Sequence, residues 1–206
     1  MERNTRENIL TPANVVTLVR IFLIPVFVAV LVSPWPSLLD KFPVFEELQP
    51  WVAAAVFIVI SATDAIDGYL ARSRDEVTDF GKFLDPLADK ILVCAALLGL
   101  VELQVLPSWI ALIILAREFI VSGLRMLAAA QGLVVAASWY GKVKTCSQIV
   151  AIVAFIIKDS VLLVSSGAFA TGFGVFAWLA MLFAVVMTIV SMVDYFYKCK
   201  FLFGYK

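Results

Sequence analysis

Four aspartates in two closely spaced pairs are the residues of this chain best suited to chemistry. Asp64 and Asp67 are three residues apart, and Asp85 and Asp89 are four apart. On a helix, either spacing places both carboxylates on one face. A short connection between two such helices would make them antiparallel neighbours. Both pairs would then converge on one point, which predicts a site for a cationic ligand.

The convergence of carboxylates predicts a metal site in particular. Four carboxylates could not all stay ionised in a low dielectric without cations between them. Oxygen ligands favour hard ions, so we expect one or two divalent cations, Mg²⁺ or Mn²⁺. The chain contains no histidine. This excludes Ser-His and Cys-His nucleophilic catalysis and any zinc site built on histidine.

The residues around the aspartates leave room for a ligand. Gly68 and Gly81 remove side chains beside the carboxylates, and Ala71 lies near the helix face that carries Asp64. Arg72 follows at the predicted helix end, where it is suited to pairing with a carboxylate or a phosphate.

The elements that must position these residues are membrane helices. The chain has 206 residues, of which 63% are hydrophobic, and its mean hydropathy is +1.00. This excess over soluble domains predicts an all-α integral membrane protein with one domain over residues 1–206. A span needs about 20 mostly apolar residues. Six candidate spans follow, at residues 15–33, 50–72, 82–104, 107–130, 141–164 and 174–197. Thr11-Pro12-Ala13-Asn14 has helix-start chemistry, and a short interfacial helix could precede the first span.

The four aspartates are predicted to lie inside the membrane near one face. The apolar runs of the second and third candidate spans are too short to cross a bilayer without the polar segment between them. Ionisable residues at such depth are functional by default. With the N-terminus inside, most Lys and Arg residues fall at the cytoplasmic face and only Lys41 and Lys158 fall clearly outside. The termini and the aspartates are therefore predicted to be cytoplasmic. The formal net charge of zero gives no reason to expect a nucleic-acid partner.

The aspartate segment as a whole resembles the signature of the CDP-alcohol phosphatidyltransferase family. Its pattern is D-x-x-D-G-x-x-A-R-x8-G-x-x-x-D-x-x-x-D, and every fixed position is present between Asp64 and Asp89. That family has six membrane helices and a cytoplasmic-side active site, and it is commonly homodimeric. The resemblance thus implies a multi-pass protein of the cell membrane, working as a homodimer on a CDP-activated lipid.

The resemblance also implies roles for individual residues. Asp64, Asp67, Asp85 and Asp89 would bind a pair of metal ions that bridges the diphosphate of CDP-diacylglycerol, and Asp89 would be the general base for the acceptor hydroxyl. CMP would leave as the hydroxyl attacks the lipid-side phosphorus. The residues implied in binding the CDP-lipid are Asn14, Thr17, Gly68, Ala71, Arg72, Thr78 and Gly81.

A second group of charged residues predicts the class of acceptor. Arg117, Arg125 and Lys142 could form a cationic pocket beside the metal site, suited to an acceptor that carries its own phosphate. Glu118 is adjacent to Arg117, but neighbouring helix positions do not face each other. For Arg117 we therefore expect a contact with another helix or with a bound anion. Snorkelling or structural pairing of the arginines, and ordinary positive-inside flanking for Lys142 and Lys144, remain the alternatives.

Several segments also resemble the bacterial phosphatidylglycerophosphate synthase branch of this family. They are Asn14–Arg20 with Pro25, Asp85–Lys90, Ala116–Phe119 and Gly141–Thr145. That branch uses glycerol 3-phosphate and forms phosphatidylglycerophosphate and CMP. Branches that use inositol phosphate, phosphatidylglycerol or serine share the metal signature, so they stay open. From another class, a cation-coupled transporter also stays open, because intramembrane carboxylates suit that role.

Overall fold

A computed structural model describes five stretches of the chain, residues 11–32, 43–74, 79–133, 138–165 and 167–200. Side chains at positions 12, 13, 43–46, 64–74, 79–83 and 85 lie outside this description. The described part is helical throughout and contains no strand. Its helices are α1 (Pro12–Val32), α2 (Pro43–Arg74), α3 (Asp79–Glu102), α4 (Ser108–Ala130), α5 (Trp139–Ile157), α6 (Val161–Val164) and α7 (Ala168–Lys198).

A helix covers the greater part of each predicted span, but three boundaries were wrong. Helix α2 begins at Pro43, within the predicted connection, since proline is tolerated in the first turn of a helix. Helix α5 ends at Ile157 rather than continuing to residue 164, because Ser160 is extended and precedes the separate helix α6. Helix α7 begins at Ala168, before the predicted residue 174, and accommodates two glycines in its first turns.

Three of the described helices are long and apolar enough to cross a membrane. They are Asn14–Val32, Trp139–Ile157 and Ala168–Lys198, and Glu47–Thr63 is a shorter apolar helix. The chain is therefore a multi-pass membrane protein. The prediction of six spans is not confirmed by these helices.

The start of α1 and the end of α4 follow local sequence signals. The hydroxyl Oγ1 of Thr11 accepts a hydrogen bond from the Asn14 backbone N–H at 3.3 Å, as expected for an N-cap. A possible interfacial helix before it falls in residues 1–10, outside the described residues. At the end of α4, Gly132 has a φ of 73°. The N–H groups of Gly132 and Leu133 bond Ala129 and Ala128 respectively, which is a Schellman ending.

Among the described residues, helix α1 packs against both α2 and α3 more extensively than these two helices pack against each other. Phe27 of α1 contacts Phe57 of α2 with ring centroids 5.6 Å apart. On the α3 side, Gly99 faces Leu31 so closely that a Cβ at Gly99 would lie 2.6 Å from Leu31 Cδ2. The two helices that carry the aspartates are thus held in place partly through α1.

Helices α5 and α7 form the most extensive pair in the described part of the chain. Phe155 and Trp178 join them edge to face, with centroids 5.0 Å apart. Helix α5 also packs on α2, and α4 packs on α7 and α3. Many large apolar side chains on the outer surface are exposed, among them Phe22, Leu112 and Met126. Such a surface fits contact with lipid.

Candidate active site

The aspartates lie on two helices, as their spacing predicts. Helix α2 runs without a break through Asp64 and Asp67, and α3 runs through Asp85 and Asp89. The side chains of Asp64, Asp67 and Asp85 lie outside the described residues, so the convergence of the four carboxylates stays a prediction. Asp89 is described, is partly buried and lines a cavity.

Most of the residues implied in CDP-lipid binding also fall outside the description. The backbone positions of Gly68, Ala71 and Arg72 belong to α2 and that of Gly81 to α3, but their surroundings are not described. Thr78 lies wholly outside the described residues. Their roles stay predictions.

The two remaining residues of that set share a buried polar face of α1. Asn14 and Thr17 are buried, and Arg20 continues the same face one turn further along. The Arg20 Nε donates a hydrogen bond to Thr63 Oγ1 on α2 at 3.4 Å. Thr63 directly precedes Asp64. The polar face of α1 therefore reaches the part of α2 where the first aspartate pair begins.

Asp89 shares its cavity with charged and polar side chains from four helices. The cavity has a volume of about 60 Å³. Its polar lining includes Ser61 of α2, Asp89 and Lys90 of α3, Glu118 of α4, and Lys144, Thr145 and Gln148 of α5. A carboxylate and several donors therefore face one small space between the helices.

Glu118 connects this cavity to Arg117. Its Oε1 atom forms an ion pair with Lys144 Nζ, and the same oxygen lies 3.4 Å from Arg117 Nη1. The expectation that Glu118 would not contact its neighbour was therefore wrong. The long side chain of Arg117 allows its guanidinium to reach the Glu118 carboxylate, although the two side chains leave the helix in different directions. One carboxylate oxygen consequently holds two cations.

The two arginines of α4 converge on α7. Arg117 is buried and donates from Nη2 to Ser191 Oγ, which confirms the expected contact with another helix. Arg125 donates from Nη2 to the Tyr195 hydroxyl. The Tyr195 ring lies 5.7 Å from the guanidinium carbon of Arg117 and 4.9 Å from that of Arg125, within cation–π range. Tyr195 thus fixes both guanidinium groups.

The two lysines at the start of α5 have opposite environments. Lys142, predicted in the acceptor pocket, is exposed. Lys144 is buried, with 3% of its surface exposed, and lines the cavity. The lysine that accompanies Arg117 beside the cavity is therefore Lys144, and a role for Lys142 stays a prediction.

Asp89 is the predicted metal ligand whose side chain belongs to the described residues. No group of three or more His, Cys, Asp or Glu side chains lies together among the described residues. Of the four aspartates only Asp89 has a described side chain. Its carboxylate faces the cavity and is the type of donor that Mg²⁺ and Mn²⁺ prefer. The described donor therefore fits such an ion.

Sequence reasoning missed Gln148, Ser191 and Tyr195, and gave Arg20 no role. Polar side chains inside apolar helices could have identified Arg20 and Gln148. The contacts of Ser191 and Tyr195 join residues 74 and 70 positions apart, and no local pattern indicates them.

Comparison with known proteins gives a consistent result over nearly the whole chain. The family model described as CDP-alcohol phosphatidyltransferase matches residues 10–192. The CDP-diacylglycerol–glycerol-3-phosphate 3-phosphatidyltransferase of Bacillus subtilis (strain 168) is 44% identical over 188 residues, covering 90% of this chain and 93% of the relative.

Two relatives of the same name come from other bacteria. That of Escherichia coli (strain K12) is 37% identical over 190 residues, covering 88% of this chain and 91% of the relative. That of Haemophilus influenzae (strain ATCC 51907 / DSM 11121 / KW20 / Rd) is 40% identical over 141 residues, covering 66% of this chain and 70% of the relative.

Proposed function

The chain belongs to the CDP-alcohol phosphatidyltransferase family, and on that premise we propose that it transfers a phosphatidyl group from CDP-diacylglycerol to glycerol 3-phosphate. The products are phosphatidylglycerophosphate and CMP. Members of this family are enzymes that are generally dependent on divalent metal ions. The relatives named above carry the two substrates in their names. One observation carries the proposal: Asp89 shares a small cavity with the Glu118–Lys144 ion pair.

The donor side of the site is formed by α1, α2 and α3. Asp64, Asp67, Asp85 and Asp89 would hold two divalent ions, and these ions would supply positive charge to neutralise the diphosphate of the CDP-lipid. Asn14 and Thr17 face the nucleotide from α1, since both belong to the buried polar face that reaches α2. The remaining CDP-lipid contacts are assigned to Gly68, Ala71, Arg72, Thr78 and Gly81.

The acceptor side is formed by α3, α4, α5 and α7. Asp89 takes the proton from the attacking hydroxyl, and the oxygen then bonds to the lipid-side phosphorus as CMP leaves. Lys144, Arg117 and Arg125 hold the phosphate of the acceptor, with Lys142 at the outer edge. A phosphate binds well to positioned guanidinium and ammonium groups.

The number of cations favours a phosphorylated acceptor over serine. Arg117 and Lys144 pair with Glu118, and Arg125 bonds Tyr195. Asp89 is the other carboxylate that lines the cavity among the described residues, so the three cations outnumber the two carboxylates. Serine carries a carboxylate and an ammonium group, so it has less need of such an excess. Inositol phosphate and phosphatidylglycerol carry phosphate and remain the acceptors to be tested against glycerol 3-phosphate.

The proposal includes six membrane spans, a cytoplasmic active site and termini, and a homodimer. The distribution of Lys and Arg supports the orientation, and the family resemblance supports the spans and the dimer. Labelling of single cysteines placed in each connection, from one side of sealed vesicles, tests spans and orientation. Light scattering of the protein in nanodiscs tests the dimer.

The reaction is tested by CMP release from purified protein with CDP-diacylglycerol and Mg²⁺ or Mn²⁺. Glycerol 3-phosphate, inositol 1-phosphate, serine and phosphatidylglycerol are supplied separately. Of these acceptors, we expect only glycerol 3-phosphate to support the reaction. CMP and phosphatidylglycerophosphate should then form in equal amounts. Release with another acceptor would keep the chemistry and overturn the acceptor assignment. No release with any acceptor, from folded protein, would overturn the reaction.

A further inference from the structure

Gln148 is a buried amide whose bonding capacity is incompletely used. Only 2% of its surface is exposed, and Nε2 has no hydrogen-bond partner among the residues that the structure describes. The side chain lines the same cavity as Asp89 and Lys144. Leaving a buried donor unpaired is costly, so such a group calls for a partner that binds in the cavity.

The position of Gln148 relative to the charged groups restricts what that partner can be. Gln148 follows Lys144 by four residues on α5, so both lie on one helix face about 6 Å apart along the axis. Lys144 belongs to the cationic group proposed for the acceptor phosphate, and Asp89 is proposed to face the reacting hydroxyl. An acceptor held at both ends presents its middle to the remaining polar groups of the cavity, among which the buried Gln148 amide has the unpaired donor.

We propose that Gln148 hydrogen-bonds the non-reacting hydroxyl of the acceptor alcohol and makes the enzyme select acceptors that carry it. This inference rests on the proposed function. A primary amide both donates and accepts hydrogen bonds, and so does a hydroxyl group. The pair can therefore form with either orientation of the amide. A site that binds a substrate hydroxyl in this way rejects analogues without that hydroxyl, because the polar group of the protein is then left unpaired.

The test compares glycerol 3-phosphate with 3-hydroxypropyl phosphate, which keeps the phosphate and the primary hydroxyl but lacks the secondary hydroxyl. CMP release gives kcat/KM for each acceptor. We expect the unmodified protein to prefer glycerol 3-phosphate by about 10-fold or more. In Gln148→Met, which has a similar volume, the preference falls to about 2-fold or less through loss of activity on glycerol 3-phosphate. Gln131→Met, at an exposed residue after α4, keeps the full preference.

Gln148→Asn withdraws the amide by one methylene while keeping a polar side chain. If Gln148→Met fails to fold, this variant gives the same comparison of kcat/KM between the two acceptors. An unchanged preference in a folded variant would overturn the inference and leave Gln148 with a bound water or a packing role. Equal activity of the unmodified protein on both acceptors would overturn it as well. Absence of turnover with every acceptor would instead overturn the proposed function on which the inference rests.

Discussion

Lys144 of α5 is ion-paired with Glu118 of α4 at the wall of the cavity that contains Asp89. The same Glu118 oxygen lies near Arg117, whose guanidinium is bonded to Ser191 on α7. A single carboxylate thus orders two cations from different helices before any substrate arrives. Such ordering lowers the cost of binding an anion, because the side chains need not be immobilised at that moment.

Lys144 and Lys142 are a matched pair for testing the acceptor pocket. Lys144→Met removes a buried cation from the cavity wall, whereas Lys142→Met removes an exposed one. We expect the KM for glycerol 3-phosphate to rise by about 10-fold or more in Lys144→Met, since charge-assisted hydrogen bonds are the stronger ones. Lys142→Met should change KM by about 2-fold or less. A larger effect from Lys142 would place the phosphate outside the cavity.

Tyr195 is predicted to act by positioning the arginines. Tyr195→Phe keeps the ring and removes the hydroxyl that accepts from Arg125. We expect the KM for glycerol 3-phosphate to rise by about 3- to 10-fold, with kcat and the KM for CDP-diacylglycerol little changed. Tyr197→Phe is the control, because Tyr197 is 74% exposed while Tyr195 is 1% exposed. An equal effect from both variants, or an effect on kcat alone, would refute the positioning role.

Metal removal tests the role assigned to the aspartates. Chelation with EDTA should abolish CMP release, and excess Mg²⁺ or Mn²⁺ should restore it, because repelling carboxylates hold the diphosphate only through cations. Isothermal titration in the absence of lipid gives a second measurement, with two ions expected per chain. Full activity after exhaustive chelation would contradict the metal assignment.

Alanine substitutions at Gly99 and Gly123 distinguish the effect of close helix packing on stability from the effect of helix propensity. Gly99→Ala places a Cβ 2.6 Å from Leu31 Cδ2 between α1 and α3, whereas nothing lies within 4 Å of a Cβ at Gly123. We expect Gly99→Ala to destabilise the protein by about 1–3 kcal/mol through overpacking. Gly123→Ala should stabilise it by up to about 1 kcal/mol. Thermal unfolding in detergent measures both, and a gain in stability for Gly99→Ala would show that Leu31 moves aside freely.

The sequence alone predicts the features that depend on local spacing. The aspartate pairs lie on helices because apolar runs and i,i+3 or i,i+4 spacing are properties of one segment. The C-terminal end of α4 follows an equally local signal, Gly132. The separation of α5 from α6 was missed, since it depends on three polar residues at the end of a long apolar run, Lys158, Asp159 and Ser160.

Features that depend on the rotation and pairing of helices could not be predicted in this way. Whether Lys142 or Lys144 faces the cavity depends on which face of α5 meets Glu118. Tyr195 meets Arg125 only because α4 packs on α7, far along the chain. Gln148 is one of several polar residues in α5, and its spacing does not reveal its neighbours.

We propose that the acceptor reacts at the cavity lined by Asp89. The most direct test is CMP release by Asp89→Asn with CDP-diacylglycerol, Mg²⁺ and glycerol 3-phosphate. Asp159→Asn serves as the matched control, since Asp159 is exposed beyond the end of α5. We predict that Asp89→Asn loses about 10²- to 10⁴-fold in kcat, as expected for loss of a general base, while Asp159→Asn keeps full activity. Asp89→Asn turning over at the unmodified rate, in folded protein, would contradict the account.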